Sequence, residues 1–577
     1  MYVLGIGMTH NATACLMEDG KIIAAASEER FRREKNFAGY PLEAVRYVLE
    51  FKGISLDEVD VVSHGYIHGL GWFAKRLSRT PVSFNYIDSI SGRLFRLFPI
   101  AEKVARRLYH VFSDWKSRKN TVKMLKGGLG NRPTRIELVD HHLCHASAAY
   151  YGFAPADRPV LVFTHDGEGD GLCATVSIGS GANLERISST KAGNSLAALY
   201  GAVTKLLGMK ILEDEHKIMG LAPYASDHEV HKTYTLLRQL IGVRNLEFHS
   251  RYGFRATYEY LKSALAGYRF DGIAGAVQKL CEELCIEWIH NGIEKTGISD
   301  IALGGGLFLN VKVNMKIMQM PELNAIYPTP GGGDESAALG AAYEGYRLLC
   351  IEMGKKFEPK PLENLYLGPE YSDDYIAKTL KCWASNNPSW QIDKYSAIEG
   401  EVARLLAKGE IVARFSGRME WGPRALGNRS ILADPSDPTV VKRINAQIKS
   451  RDFWMPFAPT ILYEREKDYI INPKDIRAPY MVLAFETTSL ARKQLQAAIH
   501  PYDYTARPQI LDRETNPSFY ALIKEFEALT GVGAVLNTSF NLHGEPIVCS
   551  PEDALSTFER SGLKFLAIGC FLVKKGN

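Results

Sequence analysis

Two histidines set four residues apart are the first chemical signal in this chain. In HHLCHASAAYYG, His141 and His145 fall on one face of a helix, so both imidazoles can converge on one ion. The apolar run Pro159–Phe163 that follows is of the buried-strand type. It leads to Asp166, which is succeeded by Gly167, Gly169 and Gly171. A carboxylate at a strand end, beside uncovered backbone N–H groups, suits a metal and a phosphate together. Two alternatives drop out. A zinc-protease helix needs Glu after its first His, and here that residue is His142. A calcium loop starting at Asp166 needs Glu where Ser177 stands. The spacing leaves two others open: HxxxH arises by chance, and His142 could pair with His145 in another role.

Further candidates are scattered. Thr9–Thr13 is a polar turn that could face a ligand. Lys35 lies in a charged stretch, SEERFRREKN, which reads as a solvated face. Gly304–Asn310 is a glycine turn before a helix, able to cradle a phosphate or ribose. Leu309 occupies the place where a dinucleotide fingerprint needs glycine, and no Walker A motif exists. Asp334 stands at a loop-to-helix junction, where the ordinary use of Asp is an N-cap. Arg414, Arg418, Arg424 and Arg429 sit in glycine-punctuated turns, a pattern for bidentate oxyanion binding. Arg443, Lys449, Arg451 and Arg507 add positive charge, and Asn537–Asn541 offers amide and hydroxyl donors.

The elements that must position these residues read as follows. Residues 2–7 and 21–26 are strands around the turn Glu18–Asp19–Gly20, and 42–52 is a helix closed by Gly53. Pro159–Gly179 repeats the strand–turn–strand pattern of the N-terminus. This internal duplication predicts two related halves facing one cleft. Gly272–Gly292 and Ala337–Tyr346 are helices, with a strand at Ile301–Leu303 between them. Apolar periodicity lapses over 353–371, the expected domain boundary. Beyond it come a helix over Glu401–Lys408 and strands at Ile411–Phe415, Gly533–Leu536 and Phe565–Val573, with a capped helix at Ser550.

With 577 residues, more than one core is required. Hydrophobic and charged contents of 46% and 23% are those of a globular protein. The nine cysteines are scattered and form no CxxC pair, as in a reduced cytoplasmic protein. The first residues enter a strand with no basic leader, and no apolar run is long enough to span a bilayer. Net charge is +4, yet residues 71–135 hold 15 Lys/Arg against 3 Asp/Glu, leaving −8 for the rest. Within that segment Val104, Leu108, Val111, Phe112 and Trp115 recur at helical spacing among basic residues. The pattern fits a helix docked on the core, or one touching an anionic membrane surface or acceptor.

Taken together, THNATACL, EERFRREKN, HHLCHASAAYYG, DGEGDG, GGGLFLN, GGDESAALGAA, GPRALGNRS, PFAPTIL, ARPQ and LNTSFNLHGEPIV resemble the O-carbamoyltransferases typified by NodU and CmcH. The resemblance covers nearly the whole chain except the basic segment. It implies an α/β protein: an actin-like (ASKHA) duplicated ATPase domain over 1–355 and a YrdC-like α/β domain over 370–577. It implies an enzyme that makes carbamoyl adenylate from carbamoyl phosphate and ATP, with Mg2+, and passes the carbamoyl group to a hydroxyl of a small-molecule or sugar acceptor. Natural-product, antibiotic or glycan biosynthesis would be its setting. By the same resemblance His141, His145, Asp166 and Asp334 match metal ligands, usually for iron. Lys35, Gly167, Gly306 and Asn310 match nucleotide-contacting positions, and His10 an acceptor-site base. Arg424, Lys449, Arg507, Asn537 and Ser539 match the carbamoyl phosphate site. Met455 stands where the family often has Arg before PFAP, with Arg443 or Arg451 as the expected substitutes. Competing readings are a tRNA threonylcarbamoyl-type transferase and a nucleotide- and metal-binding regulatory module. No nucleic-acid partner is expected, and the oligomeric state is left open, a homodimer included.

Overall fold

The computed structural model describes residues 1–67, 118–130 and 135–576. Most of the basic segment, with its Val104–Trp115 apolar face, lies outside them, as does the expected membrane contact.

Strands β1 (Tyr2–Gly7), β2 (Thr13–Glu18), β3 (Lys21–Ser27), β4 (Val61–His64) and β5 (Ile136–Leu138) form a sheet in the order β3-β2-β1-β4-β5. A second set comprises β6 (Val160–Gly169), β7 (Leu172–Ser180) and β8 (Asn183–Lys191). After a separate hairpin of β9 (Ile241–Arg244) and β10 (Glu247–Ser250), it is completed by β11 (Asp300–Gly304) and β12 (Ala325–Pro328). Its order is β8-β7-β6-β11-β12, the same arrangement repeated. In each sheet an antiparallel meander of three strands continues into two parallel ones. The repeat is therefore larger than the sequence pattern suggested. The middle strand β2, not anticipated, is fixed by pairing to both neighbours, which a local pattern does not carry.

Two helices, His141–Phe153 and Glu335–Glu352, pack against one another between the sheets. They approach so closely that a Cβ on Gly340 would fall 1.8 Å from the Cys144 carbonyl oxygen. Gly304, at the end of β11, also lies close: its Cβ would meet the His145 carbonyl oxygen at 2.8 Å. Asp140 starts the first helix by accepting from the Leu143 N–H at 2.8 Å. The long helix Phe270–Thr296 covers the second sheet, burying Trp288, and ends in left-handed Gly297.

The C-terminal part is built on an eight-stranded mixed sheet with Val412–Phe415, Arg429–Ala433, Ala534–Ser539 and Ala458–Leu462 at its middle. Here the expectation shifts in two places. Asn537 and Ser539 belong to the strand itself, not to a loop after it. Phe565–Val573 is two strands, Phe565–Ile568 and Phe571–Lys574, folded back at Gly569 with φ 55°. The chain is thus an α/β protein whose first part is a duplicated domain.

The charged stretch after β3 is a solvated face only in part: Arg32, Glu34 and Lys35 are exposed, but other residues are not. Arg30 is 4% exposed and donates to the Gly422 carbonyl at 2.7 Å. Arg33 donates to the Pro546 and Ile547 carbonyls at 2.8 and 2.6 Å. Asn314 reaches the Val482 carbonyl at 2.8 Å. These bonds clamp the duplicated domain onto the loops of the C-terminal sheet. Among the described residues no helix is long and apolar enough to cross a membrane.

Candidate active site

Four side chains from three distant segments meet in the cleft. One ligand atom each from His141, His145, Asp166 and Asp334 lies within 4.8 Å of every other. The two Nε2 atoms are 3.0 Å apart. Asp166 Oδ2 is 3.5 Å from His141 Nε2 and 3.3 Å from His145 Nε2, and Asp334 Oδ1 is 3.7 and 3.9 Å from them. The helix supplies the imidazoles, the end of β6 one carboxylate, and the turn before Glu335–Glu352 the other. Asp334 does occupy the N-cap position, but its side chain makes no capping bond. It is turned to the histidines instead.

Hydrogen-bond logic fixes the tautomer of His145. Ser336 donates its hydroxyl proton to the Gly333 carbonyl at 2.9 Å, so its oxygen must accept from His145 Nδ1, also at 2.9 Å. The Nε2 lone pair then points at the centre of the cluster. Burial opposes charge on His141, but the carboxylates of Asp334 and Asp166 outweigh it and raise its pKa to about 9. Burial likewise opposes charge on Asp166, and the two histidines hold it well below the usual carboxylate range. His142 faces elsewhere: Nδ1 lies 2.9 Å from Thr164 Oγ1, and burial, ahead of the neighbouring imidazoles, holds its pKa well below the ordinary histidine value. His10 Nδ1 sits 3.2 Å from Asp334 Oδ2, on the opposite oxygen from the cluster. Two imidazoles and two carboxylates are a donor set for a divalent first-row metal.

The nucleotide-contact candidates divide. Gly167 N donates to Asp166 Oδ1 at 2.7 Å, and a Cβ there would meet nothing within 4 Å. Gly306 lies against the same carboxylate, its Cβ position 3.0 Å from Oδ1. Asn310 caps Val311–Met318 through the Val313 N–H and bonds Gln278 Oε1 at 2.8 Å. Lys35 stands apart from this group, within electrostatic reach of Lys449 and His216.

A second constellation collects cations. Lys449, 2% exposed, donates to Ser539 Oγ at 3.1 Å and Asn541 Oδ1 at 2.7 Å. Arg451 donates to Thr538 Oγ1 at 3.2 Å. Desolvation lowers the pKa of Lys449, Arg424, Arg451 and Arg507. After it, Lys449, Arg451 and Arg507 are depressed further by positive neighbours drawn from Arg424, Arg451 and Lys35. Among the described residues, only Arg424 of these four has a carboxylate acting on it, that of Glu335. Arg424 Nε and Arg507 Nη1 are buried without a partner, as is Asn537 Oδ1. Such a gathering of like charges is stable only with an anion to share. Glu335 is 3% exposed, follows Asp334 and accepts from Asn11 Nδ2 at 3.4 Å, so it stands between the two constellations.

Of the four arginines read as lying in glycine-punctuated turns, Arg414 and Arg429 stand on strands, and these two and Arg418 play no such part. Arg414 bonds the Gly427 carbonyl, Arg418 the Leu367 carbonyl and Arg429 the Ser416 carbonyl, with Arg429 also stacked 3.7 Å over Phe415. Of the two expected substitutes for the arginine missing at Met455, Arg443 bonds the Gly409 carbonyl, while Arg451 stands by Thr538 among the cations. Sequence reading missed His216, Ser336 and Glu335. Only Glu335 and Ser336 had a signal, their adjacency to Asp334.

Two family models match the chain: carbamoyltransferase N-terminus over residues 2–343 and carbamoyltransferase C-terminus over 403–575. Nodulation protein NolNO of Sinorhizobium fredii is 31% identical over 98% of this chain and 79% of its own length. Nodulation protein U of the same organism is 26% identical over 94% of each. Among solved structures, full-length HypF in a phosphate- and nucleotide-bound form aligns at 12% identity and TM-score 0.32, over 60% of this chain and 55% of that one. Matches to both halves of the family, with full-length relatives, lead to one conclusion: the chain belongs to the carbamoyltransferase family.

Proposed function

We propose that this protein is an ATP-dependent O-carbamoyltransferase, with 370–577 activating the carbamoyl group and 1–355 transferring it. Carbamoyl phosphate is hydrolysed to carbamate and phosphate in the cation pocket. The carbamate oxygen attacks the α-phosphorus of Mg2+-ATP, and pyrophosphate leaves. The acceptor hydroxyl then attacks the carbamoyl carbonyl, and AMP leaves. The observation that carries this reading is the pairing of sites: a cation pocket short of counter-charge, separated by Glu335 from a four-donor cluster.

In the pocket Arg424, Lys449, Arg451 and Arg507 hold phosphate oxygens, and Ser539 and Asn537 orient the carbamoyl end. In the cleft His141, His145, Asp166 and Asp334 would hold a divalent metal, Fe2+ by the family resemblance. Such an ion supplies Lewis acidity toward phosphate oxygen. His10, oriented by Asp334, takes the proton of the acceptor hydroxyl. The acceptor is a hydroxylated small molecule or sugar of natural-product or glycan biosynthesis.

The test is incubation with ATP, carbamoyl phosphate and a panel of sugar and small-molecule alcohols. AMP and pyrophosphate accumulate with an O-carbamoyl product. His141→Ala stops transfer while carbamoyl phosphate hydrolysis continues. Formation of ADP would move the protein to the sugar-kinase chemistry instead.

A further inference from the structure

Helix Glu215–Leu221 belongs to the duplicated domain, yet it is fastened to the pocket of the other one. Lys217 pairs with Asp452 at 3.4 Å, and the Gly220 carbonyl lies 2.9 Å from His500 Nε2. Gly220 also packs on the Trp454 carbonyl, which a Cβ there would approach to 2.9 Å. Asp452 directly follows Arg451, so these contacts hold the helix turn that carries His216, the residue before Lys217, against the segment of the pocket cations.

His216 is solvent-accessible, and among the described residues it makes no hydrogen bond. The positive charges acting on it are those of Arg424, Arg451 and Lys35. The ring is open to solvent yet surrounded by protein, and desolvation, followed by these cations, lowers its pKa from the ordinary histidine value, so near neutral pH it is uncharged. It keeps one N–H donor and adds no further positive charge to a pocket that already lacks counter-ions.

Resting on the function proposed above, we propose that His216 is a substrate-binding residue of the activating half-reaction, donating its ring N–H to a phosphate oxygen of the carbamoyl phosphate held by Arg424, Lys449, Arg451 and Arg507. The pocket is then complete only when both domains are docked. A cationic Lys in this place would attract the same anion more strongly but would raise the repulsion that the empty pocket already carries. A neutral donor contributes direction without that cost.

The full chain carrying H216A, H216N or H216Q tests this in carbamoyl-phosphate-dependent ATP–pyrophosphate exchange with Mg2+. A hydrogen bond to a charged acceptor corresponds to a factor of about ten or more. H216A therefore raises the carbamoyl phosphate KM about tenfold or more, with kcat within about threefold. H216N or H216Q, which place an amide N–H near Nδ1 or Nε2, restores most of the loss. An unchanged KM in H216A, or a fall in kcat alone, overturns the inference. Inorganic phosphate, read as a shift in melting temperature, separates this from failure of the functional reading. Exchange absent from the wild type overturns that reading. In that case a phosphate affinity lower in H216A than in the wild type still supports His216, and equal affinity sinks it.

Discussion

Ser336→Ala removes a single oxygen that the four-donor cluster depends on without containing it. His145 and Ser336 are both fully buried, so no water replaces the lost acceptor. The His145 Nδ1–H is left unsatisfied at about 1–3 kcal/mol. The ring can escape that cost only by moving its proton to Nε2, which removes the lone pair aimed at the cluster. Either way metal affinity falls by about 10–100-fold, the range for loss of an outer partner of a ligating histidine. The metal-free protein loses about 1–3 kcal/mol of stability from the same orphaned N–H. Chelator competition with Fe2+ or Zn2+ measures the affinity, and denaturant unfolding measures the stability. Thr164→Val is the control: Thr164 lies 2.9 Å from His142, so metal affinity stays within about twofold of wild type. Equal affinity in Ser336→Ala and wild type would refute the tautomer argument and, with it, His145 as a ligand through Nε2.

Three other outcomes follow from the same geometry. Arg507→Met relieves like-charge repulsion with Arg424 and Arg451, so the melting temperature holds or rises while carbamoyl phosphate turnover is lost. In the wild type, phosphate at about 100 Kd stabilises by about 2.7 kcal/mol, visible as a calorimetric shift that Arg507→Met abolishes. Gly169→Ala puts a Cβ 1.9 Å from His141 Cδ2, so the imidazole is displaced and metal uptake, followed by chelator competition, is lost. Asp503 supplies a pH test. Burial would raise its carboxyl, but the bond to His500 and the Lys312 charge hold it well below the usual carboxylate range. A depressed carboxyl stabilises above its unfolded pKa and loses that contribution as pH falls toward the folded one. Unfolding between about pH 4 and pH 2 therefore costs the wild type stability that Asp503→Asn, already without it, does not lose.

Much of this protein was legible before any coordinates. Local spacing carried the helix of His141 and His145, because residues four apart share a face whatever the fold. The glycine-punctuated motifs carried the family, and the echo of the N-terminus at Pro159 carried the duplication. What spacing could not decide was which reading of a residue applied. Asp334 stands at an N-cap position in either case; only the cleft, closed by two helices in contact at Gly340, turns it toward the imidazoles. Arg414, Arg418, Arg424 and Arg429 look alike in sequence, but three find carbonyl oxygens nearby and only Arg424 is left for an anion. Asn310, matched to a nucleotide contact, is held by a helix start and Gln278. His216 gave no signal at all, since the cations around it, Arg424, Arg451 and Lys35, come from distant parts of the chain, and electrostatic surroundings follow distance in space, not order along the chain.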